Sequence, residues 1–185
     1  MAEGAMSDRL AWLDLEMTGL DVQRDVILQA ALIVTDGELR QLASIVVDIW
    51  QPEHHLAAMS PFVRDMHDKT GLLARVATSK VDLRDAERRL LQVLCHHCSY
   101  PATLCGNSVG MDKRFIERYM PTLAGYFHYR ILDVSSFKIV AQRYFGPDAQ
   151  FQKSPAGEHD ALVDIQNSIA EFAHYRAKLL RSPTK

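Results

Sequence analysis

The sequence is poor in three features, and each shortage excludes a class of protein. It has three cysteines among 185 residues, and a small, odd number does not make a disulfide framework. It has no apolar run near its start long enough for a secretory signal, and no later run approaches the roughly 20 residues of a membrane span. The formal net charge of -2 argues against a broad basic groove for a long nucleic-acid duplex. We therefore expect a cytoplasmic protein with no membrane partner, in which a short anionic ligand is still possible.

What the sequence does contain is the composition of an ordinary globular protein. Its side chains are 48% hydrophobic and 24% charged, and a chain of this length can bury one sizeable core. No internal repeat or linker divides it. We predict a single domain over residues 1–185, with its core at about 8–180.

The cysteines raise one alternative. Cys95-His96-His97-Cys98 has the spacing of half a zinc site, but a structural site needs a second ligand pair, and none is nearby in the sequence. Leu90, Leu94 and Cys98 follow helical spacing. We therefore interpret Cys98 as a small apolar residue near the end of a helix, with zinc as the alternative.

The apolar segments predict an α/β fold. Runs at 26–35 and 39–47 follow an apolar strand that contains Asp14, and Asp36-Gly37 between the runs is a strong turn signal. These segments predict an antiparallel meander of three strands. Two further strands, at 102–106 and 128–133, alternate with helical patterns. The sequence thus predicts one mixed sheet flanked by helices.

Polar caps and proline or glycine mark the helix boundaries. Ser60 followed by Pro61 is a typical helix start, and Thr78 or Ser79 is the predicted cap of a later helix. Segment 148–158 is polar and is predicted to be a loop. Helices are predicted at 61–67, at about 80–97, around 112–119, at 134–145 and at 161–180.

Two carboxylates stand out in the first strand. Asp14 and Glu16 are two residues apart, so they point to the same face while Leu13 and Leu15 point into a core. Like charges on one face repel, and burial raises their pKa values unless a divalent cation supplies positive charge. The alternative is an exposed edge strand with a solvated acidic face.

Three more polar residues lack a local explanation. Asp112 lies in the first turn of a predicted helix, where it could serve the helix dipole alone. Asp164 adjoins the apolar stripe of the last helix, which makes a solvated surface position less favourable. Five residues on one helix would separate His159 and Asp164 by roughly 140°, so His159 is better placed in the loop before that helix.

These residues carry a resemblance. Asp14-x-Glu16, Gly106-Asn107-Ser108 ahead of Asp112, and His159 five residues before Asp164 resemble the 3′-to-5′ exonucleases that use four acidic residues and a histidine. Three longer stretches, WLDLEMTGLD at 12–21, YMP at 119–121 and YFHYRILDVS at 126–135, are similar to the oligoribonuclease family. The resemblance extends from about Trp12 to Tyr175.

The resemblance implies a ribonuclease-H-like fold in a homodimer that hydrolyses very short RNA, down to dinucleotides, from the 3′ end. It implies two Mg²⁺ or Mn²⁺ ions held by the four carboxylates, with His159 as the general base. Imidazole suits that role because its free electron pair is available near pH 7. The metal ligands would be Asp14, Glu16, Asp112 and Asp164.

The resemblance also assigns the substrate contacts. Ser108, Arg130 and Ser135 would form a cap for a 5′ phosphate, with Tyr129 contributed by the second subunit. Taken singly, Ser135 could be merely a helix N-terminal residue and Arg130 a surface charge. Leu20 would pack on the bases, Phe62 would stack on one, and His67 would lie near the phosphate. The full set of expected substrate-binding residues is Met17, Thr18, Gly19, Leu20, Phe62, His67, Asn107, Ser108, Tyr129, Arg130 and Ser135.

Four positions depart from the family pattern. Phe62 stands where tryptophan is usual, which reduces the stacking area. Gln29, Val163 and Asn167 each stand where an acid is usual, and weaker metal binding is expected from such losses around a metal site. Two alternative functions follow: a related exonuclease that trims longer RNA or DNA 3′ ends, and a dinucleotide-binding protein with weakened catalysis.

Overall fold

The computed structural model describes residues 8–152 and 160–180. They contain a five-stranded mixed sheet in the order β3-β2-β1-β4-β5, which is the predicted fold class. The strands are β1 (Leu10–Met17), β2 (Ile27–Thr35), β3 (Gln41–Asp48), β4 (Ala102–Gly106) and β5 (Phe127–Asp133).

The predicted meander is confirmed. β1 pairs antiparallel with β2, and β2 pairs antiparallel with β3. The turn between β2 and β3 is held by Asp36, whose carboxylate accepts the backbone N–H groups of Glu38 and Arg40 at 2.9 Å. An aspartate that satisfies nearby backbone donors in this way is typical of a tight turn.

Helices cover both faces of the sheet. Ser60 caps α2 by accepting the N–H of Val63, as predicted. The helices are α1 (Glu53–Ala57), α2 (Pro61–Lys69), α3 (Leu72–Thr78), α4 (Leu83–His97), α5 (Gly110–Tyr119), α6 (Pro121–Ala124), α7 (Val134–Val140) and α8 (Ala161–Leu179), with a π-helical turn at Ala141–Phe145 and a 3₁₀ turn at Pro147–Ala149. No helix of the described residues is long and apolar enough to cross a membrane.

Two helix predictions need correction. The cap of α4 is Asp82, whose side chain accepts the N–H of Asp85, and neither Thr78 nor Ser79 caps it. The hydroxyl of Ser79 instead donates to the Asp48 carbonyl at 2.7 Å, which ties the loop to β3. The predicted helix at 134–145 is α7 followed by the π-helical turn. The short helix α1 was not predicted, because five residues are too few to show a helical period.

The two faces of β1 pack against different helices. Leu13 and Leu15 belong to a core that includes residues of α4 and α5, whereas Trp12 faces α8 and lies 5.8 Å from Phe172 between ring centroids. Cys98 is buried at the end of α4, as predicted. Since side chains alternate along a strand, Asp14 and Glu16 share the face of Trp12 and point towards α8.

The parallel strands determine where a site can form. β1 pairs parallel with β4, and β4 pairs parallel with β5, so all three strands end at the same edge of the sheet. Ligands of α/β sheets bind at this carboxyl edge. The loops that follow these strands therefore meet there, whereas Tyr129 and Arg130 lie within β5.

Candidate active site

Three of the four predicted metal ligands converge. Asp14 and Glu16 on β1 and Asp164 in the first turn of α8 place carboxylate oxygens within 4.8 Å of one another. Asp160 caps this helix by accepting the N–H groups of Leu162 and Val163, which fixes the turn that carries Asp164. The exposed edge strand considered above is wrong, because β1 lies between β2 and β4 and Glu16 is only 7% exposed.

The fourth acid, Asp112, bonds to β1 itself. β1 runs beyond its last pair with β4, Trp12 with Cys105, and α5 covers the strand from there. The carboxylate of Asp112 accepts the N–H of Leu15 at 3.0 Å. Leu15 lies between Asp14 and Glu16, so Asp112 is fixed beside both, and its role is not limited to the helix dipole.

The electrostatics of the cluster call for a cation. Burial, reinforced by the charges of Asp164, Asp160 and Asp112, raises the pKa of Glu16 to about 8. Burial also raises the pKa of Asp112 to about 7, although its own backbone N–H and that of Leu15 oppose the change. A cluster of oxygen donors this short of positive charge fits hard divalent ions such as Mg²⁺ and Mn²⁺.

This electrostatic arrangement predicts a pH-dependent stability without metal. The pKa of Glu16 rises from 4.5 to about 8 on folding, so between these values the native state holds a proton that the unfolded chain has lost. Stability therefore falls as pH increases through this window. We expect the melting temperature in EDTA to fall between about pH 5 and pH 8. Millimolar Mg²⁺ or Mn²⁺ should raise the melting temperature more at the higher pH than at the lower, because metal and proton compete for the same oxygens.

Differential scanning fluorimetry across this pH range measures the effect. NaCl of equal ionic strength is the control, since simple screening of charge would act with either salt. A melting temperature that is equally insensitive to divalent ions at both ends of the range would contradict a formed metal site.

His67 supports the end of β1 from α2. Its ring is fully buried, with Nε2 2.8 Å from the Met17 carbonyl oxygen and Nδ1 3.7 Å from a carboxylate oxygen of Glu16. Because a carbonyl oxygen only accepts, Nε2 is the donor. His67 thus holds the strand end beside the acids, and its expected proximity to a substrate phosphate stays a prediction.

The loop after β1 presents Leu20. The carboxylate of Asp25 accepts the hydroxyl of Thr18 at 3.1 Å and the N–H of Asp21 at 2.9 Å. Gly19 passes so close that an added Cβ would lie 2.5 Å from an Asp25 oxygen, so a larger residue here would displace the Asp25 carboxylate from its contacts with the loop. Leu20 is 66% exposed, as a side chain that packs on a base needs to be. Sequence analysis missed Asp25, because nothing in the local sequence shows that its carboxylate folds back on the loop.

Phe62, on the first turn of α2, is 78% exposed. Its ring is therefore available for stacking. The structure leaves the predicted stacking role open, since it contains no base.

Two of the predicted phosphate-cap residues, Ser108 and Ser135, lie just beyond the ends of β4 and β5. Ser108 and Ser135 are joined through one side chain, that of Asp133. Tyr129 and Arg130 are both exposed on β5, and the guanidinium carbon lies 4.9 Å from the tyrosine ring centroid. Asp133 was missed as a site residue because the sequence shows only its position at the end of a strand.

Asn107 is turned away from this group. Its amide donates to Glu171 at 2.7 Å and to Ser168 at 3.3 Å, so it ties the loop after β4 to α8. Glu171 is buried and also accepts the hydroxyl of Tyr175 at 3.1 Å. A direct substrate contact by Asn107 stays a prediction.

His159, the predicted general base, lies outside the described residues. Gln29, one of the atypical positions, is buried and connects two elements. Its amide donates to Asp48 at 2.6 Å, and its carbonyl oxygen accepts the N–H of Ala161 at 3.4 Å. A carboxylate could not donate to Asp48, so the amide is the side chain that suits this pair of contacts. Val163 and Asn167 are half-buried on α8.

Comparison with known proteins identifies relatives over nearly the whole chain. The RNase_T exonuclease family model matches residues 11–172. Oligoribonuclease of Streptomyces coelicolor is 46% identical over 175 residues, which cover 92% of this chain and 86% of the relative. Oligoribonuclease of Shewanella loihica is 45% identical over 174 residues, 93% of this chain and 96% of the relative. Oligoribonuclease of Aromatoleum aromaticum is 43% identical over 176 residues, which cover 94% of this chain and 96% of the relative.

Solved structures share the fold at much lower identity. Exonuclease I of Methylocaldum szegediense superimposes with a TM-score of 0.71 at 16% identity, covering 93% of this chain and 41% of the other. The zinc-bound complex of Escherichia coli exonuclease I with single-stranded DNA gives a TM-score of 0.71 at 16% identity, and the match covers 94% of this chain and 41% of the other. This chain therefore spans about two fifths of the length of those proteins.

Proposed function

Since this chain belongs to the oligoribonuclease branch of the RNase_T exonuclease family and is a 3′-to-5′ exoribonuclease of short oligoribonucleotides, we propose that its preferred substrates are dinucleotides. We further propose that it uses two Mg²⁺ or Mn²⁺ ions per site and acts as a homodimer. The observation that carries the proposal is the convergence of Asp14, Glu16 and Asp164 within 4.8 Å, with Asp112 bound to the same strand.

The four acids would hold the ions. Asp14, Glu16 and Asp164 supply a compact set of oxygens, and Asp112 adds a fourth carboxylate from α5. Two ions bound in such a cluster would supply an activated water and charge stabilisation of the leaving 3′ oxygen. The raised pKa of Glu16, about 8, supports this assignment, because the positive charge of a bound cation would offset the burial and the repulsion that cause it.

His159 is proposed as the general base. It immediately precedes Asp160 in the sequence, and Asp160 is the N-cap of α8, the helix that carries Asp164 in its first turn. A neutral imidazole at that point would accept the proton of the attacking water.

The preference for two nucleotides would come from a closed groove. Ser108 and Ser135, just beyond β4 and β5, and Arg130, within β5, would offer hydroxyl and guanidinium donors to a 5′ phosphate. Ser108 and Ser135 follow strands that end at the same edge of the sheet as β1, so this cap would lie near the proposed metal ligands. A cap this near the reaction centre leaves room for few nucleotides.

The edge of the sheet supports a dimer. β5 is an edge strand, and exposed strand edges favour association. A groove of ≈ 620 Å³ runs beside β5 and α7, and Tyr129 is 65% exposed at this edge. Exposed apolar side chains continue from β5 through the following helical segment: Tyr129, Ile139, Val140, Tyr144 and Phe145. A second copy here would explain how Tyr129 reaches the partner's substrate.

We also propose that the chain acts as one exonuclease domain over residues 1–185, with a core at about 8–180. The three cysteines are unpaired thiols in the described residues. This supports a cytoplasmic location, where thiols stay reduced.

A length series tests the proposal. With Mn²⁺ and 5′-phosphorylated RNA of two to ten nucleotides, we expect kcat/KM to be at least about 10-fold higher for the dinucleotide than for the ten-mer. One charge-assisted contact to the terminal phosphate is worth about 1.5–3 kcal/mol. Release of mononucleotides is followed by chromatography, with EDTA as the control.

Two outcomes would favour the alternatives. Similar kcat/KM values at all lengths would indicate an exonuclease that trims longer ends, a case in which Phe62 in place of tryptophan relaxes the length limit. Tight dinucleotide binding without any turnover would indicate a binding protein, and His159→Ala would then leave both binding and the absence of hydrolysis unchanged.

A further inference from the structure

One carboxylate oxygen joins the two hydroxyl residues of the proposed cap. Oδ1 of Asp133 accepts the N–H of Ser108 at 2.9 Å, the N–H of Ser135 at 3.0 Å and the hydroxyl of Ser135. Ser108 lies on the loop after β4, whereas Ser135 lies in the first turn of α7. This one oxygen therefore links the two serines across the two segments.

The backbone at Ser108 needs such support. Its φ is +52°, a left-handed conformation that costs a non-glycine residue free energy, and it is exposed on the loop. A single anionic acceptor that holds its N–H therefore fixes the backbone that carries the hydroxyl of Ser108. The same oxygen accepts the N–H of Ser135, and it also accepts the Ser135 hydroxyl, whose single proton must turn away from Asp133 to reach a phosphate.

We infer that Asp133 is a positioning residue for recognition of the substrate's 5′ phosphate, holding Ser108 and Ser135 in one arrangement that faces a single phosphate. The inference rests on the proposed function, since it assumes that these serines bind that phosphate. Asp133 does not itself contact the phosphate, because two anionic groups would repel. Its effect is exerted through the donors it orients, which lowers the cost of ordering them when substrate binds.

The alternative interpretation is that Asp133 only caps α7. It does accept the N–H of Ser135, as an ordinary N-cap does. A cap alone, however, has no reason to bind Ser108, which is 25 residues earlier in the chain than Asp133. The bond from Ser108 therefore distinguishes the two roles, and variants can separate them.

The experiment compares dinucleotides with a 5′ phosphate and with a 5′ hydroxyl. For Asp133→Ser, the shorter side chain keeps a capping oxygen for α7 but withdraws it from Ser108. We expect KM for the 5′-phosphorylated dinucleotide to rise about 10-fold, with kcat and the kinetics of the 5′-hydroxyl dinucleotide little changed. Asp133→Asn retains an acceptor oxygen in the same place and should largely preserve the wild-type KM.

Combination with Ser108→Ala provides the matched control. If Asp133 acts through Ser108, the double variant Ser108→Ala/Asp133→Ser should raise KM no further than the larger of the two single changes. Additive effects would overturn the inference. It would also be overturned if Asp133→Ser lowered kcat/KM equally on both substrates and lowered the melting temperature, because that is the result expected of a purely structural cap.

The wild-type enzyme supplies the other distinction. If it does not discriminate the 5′-phosphorylated from the 5′-hydroxyl dinucleotide, the proposed cap itself fails, and the role of Asp133 fails with it. If it does discriminate and Asp133→Ser discriminates equally well, the cap stands and only the inference about Asp133 is wrong.

Discussion

Glu16→Gln is expected to abolish hydrolysis while making the metal-free protein more stable. A metal-bound transition state is stabilised by several kcal/mol, so loss of one ligand should lower kcat by at least about 10³-fold. The same change removes the buried charge whose pKa is raised to about 8, and with it the repulsion from Asp164, Asp160 and Asp112. The melting temperature in EDTA at about pH 8 should therefore increase. A substitution that lowers activity while it raises stability is typical of a site in which like charges are held together for function.

Turnover of a diribonucleotide and thermal unfolding measure the two effects. Glu38→Gln is the matched control, because Glu38 is an exposed acid in the turn between β2 and β3, at the opposite end of the sheet from Glu16. It should leave both quantities near their wild-type values. A Glu16→Gln variant that keeps substantial activity would contradict the assignment of Glu16 as a metal ligand.

Gly106→Ala is expected to damage both folding and catalysis, although the change adds one methyl group. A Cβ at Gly106 would lie 2.9 Å from the Leu13 carbonyl oxygen and 3.0 Å from side-chain atoms of Val109. The backbone on one side and a buried side chain on the other leave no room for the added methyl group. Overpacking of this kind lowers the free energy of unfolding by about 1–3 kcal/mol. To relieve it, β1 must move at Leu13, next to Asp14. A displacement of about 1 Å in a catalytic group can lower kcat about 10²-fold.

Gly110→Ala provides the comparison. It lies four residues further on, at the start of α5, and an added Cβ meets nothing within 4 Å. Alanine should be neutral or slightly stabilising there. Unfolding curves in urea and diribonucleotide kinetics would show the contrast, and equal behaviour of the two variants would refute the argument from close packing at Gly106.

The fold was predictable wherever local chemistry and long-range packing agree. The apolar runs of β2 and β3 and the Asp36-Gly37 turn specify a meander without further information, because the turn and the alternation of side chains agree on the register. The end of α5 was predictable for a similar reason, since Pro121 cannot continue the helix. The cap of α4 was not predictable, because Ser79 and Asp82 are both good capping residues and only the position of β3 decides that Ser79 is used elsewhere.

The acids of the candidate site were predictable from the sequence, whereas the residues that hold the site in place were not. Asp14 and Glu16 could be identified because a pair of acids is anomalous in an apolar strand. Asp25 and Asp133 could not, since an acid in a loop or at a strand end is unremarkable until its acceptor contacts are known. The burial of His67 likewise depends on how α2 packs against the end of β1, which a residue pattern does not encode.

The bond from the Leu15 N–H to Asp112 has a thermodynamic consequence. The carboxylate of Asp112, which we propose as a metal ligand, also occupies the place that the next strand of the sheet would otherwise take along β1. Detaching α5 from the strand would therefore disrupt the cation site and leave a main-chain donor without its acceptor in a single step. By linkage, an ion bound there stabilises the docking of α5, and a firmly docked α5 binds the ion more tightly.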